Sequence, residues 1–156
     1  PSQSRRPAVQ ASQAANPRVH VIGRKRGADV LRPISKEHAD DETFEGLLIL
    51  RPEGRLFFVN AQTVAERINR LVLKHQPQVV VLDLSRVPDI EYSALQMLIE
   101  GEARMAANGT VMWLAGLNPG VMKVVEHAGL AERLGHQRMV FNAHLAIERY
   151  LATKAA

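Results

Sequence analysis

The clearest signal along the chain is a set of short apolar blocks separated by stretches of helical periodicity. Leu47-Leu48-Ile49-Leu50 is bounded by Gly46 and Pro52, and Val79-Val80-Val81-Leu82 is closed by Asp83. Uninterrupted runs of this kind are what strands covered on both faces require. Val111 to Ala115 reads the same way. Between the blocks, Val64, Ile68, Leu71 and Val72 recur at helical spacing, with Glu66, Arg67, Asn69 and Arg70 facing away. Leu95, Leu98, Ile99 and Ala106 mark a second helix from about Ser93 to Ala107. Asn118-Pro119 opens a third with proline at the first helical position, and Gly129 sits where it must stop. Val140-Phe141 predicts a last short strand, and a closing helix runs from Asn142 through Leu145, Tyr150 and Leu151.

The front of the chain is less regular. Val19 to Ile22 is a short extended run, Ala28 to Arg32 predicts a second strand stopped by Pro33, and Ser35 to Glu45 reads as a polar loop. After the Glu53-Gly54 turn, Leu56-Phe57-Phe58-Val59 predicts a hairpin partner for Leu47–Leu50, with Asn60 as N-cap of the next helix. Repeated strand–helix units imply an α/β fold with a mostly parallel sheet and right-handed crossovers, made mixed by the front strands. Residues 1–15 are rich in Ser, Gln, Ala and Pro and predict a disordered leader, with one domain over 16–154.

Composition narrows the chemistry. The 156 residues include no cysteine, which excludes disulfides, thiolate nucleophiles and cysteine metal sites. No stretch offers about 20 continuous apolar residues, so no membrane span is expected. The chain opens on Pro1 instead of Met, which predicts a piece of a longer polypeptide. The net charge of +4 is uneven: eight basic residues up to Lys36 face Asp29 alone, leaving the rest acidic. A nucleic-acid-binding domain would carry its basic residues on the folded body, and only 4% of the residues are aromatic. No nucleic-acid partner is expected.

Candidate chemistry is sparse. The turns after Val59, Leu82 and Ala115 are not glycine-rich, so a phosphate-cradling loop is not expected. The six histidines show no metal-ligand spacing, and no Gly-x-Ser-x-Gly elbow exists. Asp83, Asp89 and Glu91 form a carboxylate group near one strand's C-terminal end, where open α/β sheets place ligands. A small-ligand enzyme using Asp83 and Glu91 is one reading; helix-dipole partners and caps are the simpler one. Ser93 lies three residues before Gln96, matching a capping box, and is also positioned as a phosphoacceptor at a helix start. Glu91 would repel a phosphate there.

The stretch from Val79 to Leu95, with Asp83 ending a buried strand and Glu91-Tyr92-Ser93-Ala94-Leu95 opening a helix, resembles the central signature of STAS domains. These occur in anti-sigma-factor antagonists and in the C-terminal tails of SulP anion transporters. Asn16 to Arg24 with Gly27 resembles the segment joining a transporter's membrane domain to its tail, and Phe57 to Ala61 is similar to that branch's hairpin turn. The resemblance implies a mixed sheet of about five strands with four to five α-helices. It implies a non-catalytic cytoplasmic domain under a transporter of sulfate, bicarbonate or related anions, with the membrane domain, a second copy or a cytosolic regulator as partner. Asp83, Asp89, Glu91 and Tyr92 would form its regulatory loop. No cofactor is expected, although weak nucleotide binding is known in the family. Arg18, Arg24, Lys25 and Arg26 would then lie near the membrane, where anionic lipid head groups attract cations. In the antagonist branch the serine matching Ser93 is the phosphorylated one, which gives a signalling protein switched at Ser93 as the alternative.

Overall fold

The computed structural model describes residues 18–155; the leader 1–15 and the first residues of the expected join, Asn16 and Pro17, lie outside them. The strands are β1 (Val19–Arg24), β2 (Leu31–Pro33), β3 (Leu47–Pro52), β4 (Val79–Asp83), β5 (Val111–Ala115) and β6 (Met139–Val140). The helices are α1 (Phe58–His75), α2 (Tyr92–Ala107), α3 (Pro119–His127), α4 (Leu130–Leu134) and α5 (Ala143–Ala155). Among the described residues the sheet therefore has six strands, one more than expected, in the order β2-β1-β3-β4-β5-β6. β1 is antiparallel to both β2 and β3, whereas β3 to β6 run parallel.

The two-residue alternation of each strand divides the core. Leu48, Leu50, Val80, Leu82, Met112 and Leu114 face α1, α2, α3 and α4, meeting Val64, Ile68, Leu95, Val121 and Leu130. Leu47, Ile49, Val79, Val81 and Trp113 face the other way, onto Ala146, Ile147 and Tyr150 of α5. β4 is buried along its whole length, as its unbroken apolar run requires. Tyr150 fixes the far end of α5 by donating its hydroxyl to the Glu45 carbonyl at 2.6 Å. Gly46 lies directly beneath that hydroxyl with φ +80, where a Cβ would run into Tyr150.

Four local expectations are corrected. Leu56–Val59 is not a strand: only Leu56 keeps an extended pairing, a parallel bridge to Ile90, and the chain enters α1 at Phe58. Four apolar residues fit strand and helix alike. Here Phe58 and Val59 point outward, so their apolar character does not serve the core. Asn60 is not the N-cap but the third helical residue; its Oδ1 accepts the N–H of Phe57 at 3.0 Å, and its Nδ2 donates to the Arg55 carbonyl at 2.8 Å. The second front strand is shifted to Leu31–Pro33, an edge position that tolerates proline. The last strand is Met139–Val140, with Phe141 already outside it and exposed.

The loop from Ser35 to Glu45 is tied down by charge. Arg32 of β2 donates to both carboxylate oxygens of Asp41, at 2.7 and 2.8 Å. This hydrogen-bonded pairing holds the Asp41 carboxyl below its ordinary value of 3.8 and raises Arg32. The contribution to stability is present above that ordinary value and is lost as pH falls through the lower folded value. A carbon-detected NMR titration should place the Asp41 midpoint below the ordinary aspartate range, and Arg32→Ala should move it upward; an unmoved midpoint would refute the pairing.

Candidate functional site

The C-terminal end of β4 organises the site. Asp83 has a side chain only 3% exposed, and Arg51 of β3 donates its Nε to Oδ2 at 3.0 Å. The other oxygen, Oδ1, accepts the N–H of Ser85 at 3.0 Å, turning the chain sharply out of the strand. Gly116, just after β5, presses against that turn with φ +72. Asp83 is therefore an anchor beneath the loop, separated by burial from the other two carboxylates.

Asp89 and Glu91 sit further along the same loop, at the surface. Arg55 bridges them, donating Nε to Asp89 Oδ2 at 3.0 Å and Nη2 to Glu91 Oε1 at 2.9 Å. Its guanidinium also lies over the Phe57 ring, 5.1 Å from the centroid. The backbone is stitched across the same gap: Gly54 donates to the Arg86 carbonyl, Leu56 to Asp89, and Glu91 back to Leu56. Asn118 closes the other side, donating its Nδ2 to the Pro88 carbonyl at 3.1 Å while capping α3 through Val121 N–H at 2.8 Å. Leu84, Val87 and Ile90 point inward and are buried, so the loop is a packed element.

The helix start differs from the expected capping box. Glu91 occupies the N-cap, in extended conformation, and makes no side-chain cap bond; Tyr92 and Ser93 are the first two helical residues. Ser93 therefore does not cap α2, and it is exposed. Tyr92 beside it is 58% exposed, and Phe58 at the start of the neighbouring helix is 71% exposed. The sequence-predicted loop residues thus divide into a buried anchor, Asp83, and a surface group of Asp89, Glu91, Tyr92 and Ser93.

The basic segment lies elsewhere. Arg24 ends β1, 3.5 Å from Glu42 and over the Phe44 ring at 4.9 Å. Lys25 and Arg26 are exposed in the β1–β2 turn, where Arg26 donates to the Asp40 carbonyl at 3.3 Å. Arg18 is exposed at the opposite end of β1, beyond the Val19–Pro52 pairing. The four cations therefore form no single patch, and the acidic loop at residues 37–42 folds against the turn.

Sequence reasoning missed three charged residues, the first of them Arg51, whose pairing with Asp83 spans 32 residues of chain. Arg55 left no signal because its role depends on two loops meeting. Glu102 belongs to the buried face of α2, with a side chain 4% exposed, and its Oε2 lies 2.8 Å from Arg133 Nε, off the hydrogen-bond axis. Its spacing, seven residues beyond Leu95, is the signal that could have placed it on that face. Among the described residues no group of His, Asp and Glu could hold a metal ion, and no helix is long and apolar enough to cross a membrane.

A profile of the STAS domain matches residues 38–144, from the acidic loop to the first turn of α5. The chain belongs to the STAS-domain family. A probable sulfate transporter 4.2 of Arabidopsis thaliana is 24% identical over 87% of this chain, which spans only 22% of that relative. The structure of a SulP transporter STAS domain from Vibrio cholerae superposes with a TM-score of 0.64 and 24% identity, covering 76% of this chain and 91% of that one. The anti-sigma factor antagonist SpoIIAA in its unphosphorylated form gives a TM-score of 0.59 at 16% identity, covering 71% and 93%. Transporter domains and antagonists thus share the fold described above.

Proposed function

We propose that the chain is the non-catalytic cytoplasmic regulatory domain of a SulP-type secondary anion transporter that carries sulfate or a related anion. The observation that carries this reading is the breadth of the transporter match. The sulfate transporter relative aligns in sequence with 87% of the chain, against 56% for the RsbT co-antagonist protein RsbRA of Bacillus subtilis. The partner is the membrane domain of the same polypeptide, with a second copy or a cytosolic regulator as further partners of the domain. The topology favours a role without cofactor. Strands β3 to β6 succeed one another without reversal, with α1, α2 and α3 on one face, an order without the reversal at which doubly wound sheets bind nucleotides.

The reading predicts a coding frame with many apolar helices ahead of Pro1. Expressed whole in cells lacking sulfate uptake, that polypeptide should restore uptake of labelled sulfate, and deletion of residues 18–155 should remove most of it. A start codon directly before Pro1 would sink the proposal. The antagonist reading draws on one observation, the exposed Ser93 hydroxyl free of a capping role. It requires phosphate on Ser93 after incubation with an anti-sigma kinase, detected by mass spectrometry.

A further inference from the structure

The exposed aromatic side chains are all found at one edge of the sheet. Phe58 opens α1 just after β3, Tyr92 opens α2 after the loop from β4, and Phe141 follows β6. Because β3, β4 and β6 are parallel members of one sheet, all three rings stand at its C-terminal edge. They are 71%, 58% and 83% exposed. β3 to β6 span three strand spacings, roughly 14 Å, so the rings rise from elements spread along that edge.

Phe141 has no packing duty that explains it. Asn142 caps α5 through the Leu145 N–H at 2.9 Å, which puts Phe141 at the position that often staples back onto the first turn. Instead it points away. Val59 beside Phe58 is also half exposed. The chain enters the domain at this same edge, since β1 begins with Val19 opposite Pro52. Arg18 and Arg86 are exposed there, and the carboxylates of Asp89 and Glu91 at the same edge are paired by Arg55, with Glu53 near His20.

We infer that this edge rests on the interfacial layer of a lipid bilayer, with Phe58, Tyr92 and Phe141 inserted among the head groups. The inference rests on the transporter reading and adds the orientation of the domain to it. Aromatic rings partition to the membrane–water boundary, and arginines beside them meet anionic head groups. The rings rise from three separate elements and form a rim. A protein partner would need a shaped socket for each ring, whereas a bilayer accepts separated rings without one. Tethering through the N-terminal side would keep the weak individual insertions engaged.

The absence of cysteine makes a direct test simple. The 156-residue chain, carrying an N-terminal hexahistidine tag, is held on vesicles of phosphatidylcholine with a minority of phosphatidylglycerol and some nickel-chelating lipid. An environment-sensitive NBD label is placed on Tyr92→Cys, on Phe141→Cys, or on Leu73→Cys, an exposed site near the opposite end of α1. Labels at 92 and 141 should shift to the blue and be quenched by brominated lipid, while the label at 73 should not respond. Phe58→Ser with Tyr92→Ser should weaken the response at 141, and the shift should persist at high salt. Equal responses at all three sites, or none, would overturn the inference. So would a shift without vesicles accompanied by a dimer mass in light scattering, which would assign the edge to a second copy. A shift seen only in the whole transporter would also overturn it, in favour of a protein contact. The vesicle outcomes do not depend on what lies upstream of Pro1.

Discussion

Replacing Arg51 by methionine should cost about 3–5 kcal/mol of folding stability, because it strips a buried carboxylate of its partner. Asp83 is 3% exposed and Arg51 13%, so water cannot readily take the place of the guanidinium. Methionine fills a similar volume, which leaves the lost ion pair as the main effect. Asp83→Asn should be milder, since an amide oxygen still accepts the Ser85 N–H and the Arg51 head can turn toward solvent. In Arg51→Met, Asp83→Asn should recover stability relative to Arg51→Met alone, because no buried charge is then unpaired. Urea denaturation gives the stabilities, and amide exchange over 84–91 reports whether the loop loosens with its anchor. A cost of under about 1 kcal/mol for Arg51→Met would show that the pair does not hold the loop.

How far this arrangement could be read from the sequence depended on whether its determinants were local. β3, β4 and β5 were legible because burial on both faces demands continuous apolar runs, and α3 because Asn118-Pro119 and Gly129 mark its limits. The start of α1 was not. Phe57-Phe58-Val59 has strand-like composition, yet its rings serve the surface, and only the reach of Asn60 back to Phe57 reveals the helix. Asp83 was correctly placed at the end of β4, but grouping it with Asp89 and Glu91 took proximity in sequence for proximity in space. Its actual partner, Arg51, lies 32 residues away across the sheet. Ser93 shows the same limit. Its spacing to Gln96 fits a capping box, but the helix starts two residues earlier than that box requires, which leaves the hydroxyl at the second helical position.

Gly116→Ala should be almost as damaging as Arg51→Met, at about 2–4 kcal/mol, through two separable terms. The first is conformational: φ is +72, a region that costs a residue with a Cβ about 1–2 kcal/mol. The second is steric. A Cβ would lie 2.9 Å from Asp83 Oδ1, 3.0 Å from Ser85 Cβ and 3.2 Å from the Ser85 nitrogen. None of these atoms can move cheaply, because Asp83 is pinned by Arg51 and Ser85 belongs to the turn that Asp83 shapes. Gly109→Ala supplies the control, since Gly109 has φ +85 but nothing within 4 Å of the added carbon. It should show the conformational term alone. Unfolding measurements that give equal costs for the two alanines would remove the steric term and with it the tight apposition of the β4 and β5 ends. Once Arg51→Met has freed Asp83, Gly116→Ala should cost less than it does in the wild type. Coupling of about 0.5 kcal/mol or more in the double-mutant cycle would mark Arg51, Asp83 and Gly116 as one unit beneath the Asp89–Ser93 surface.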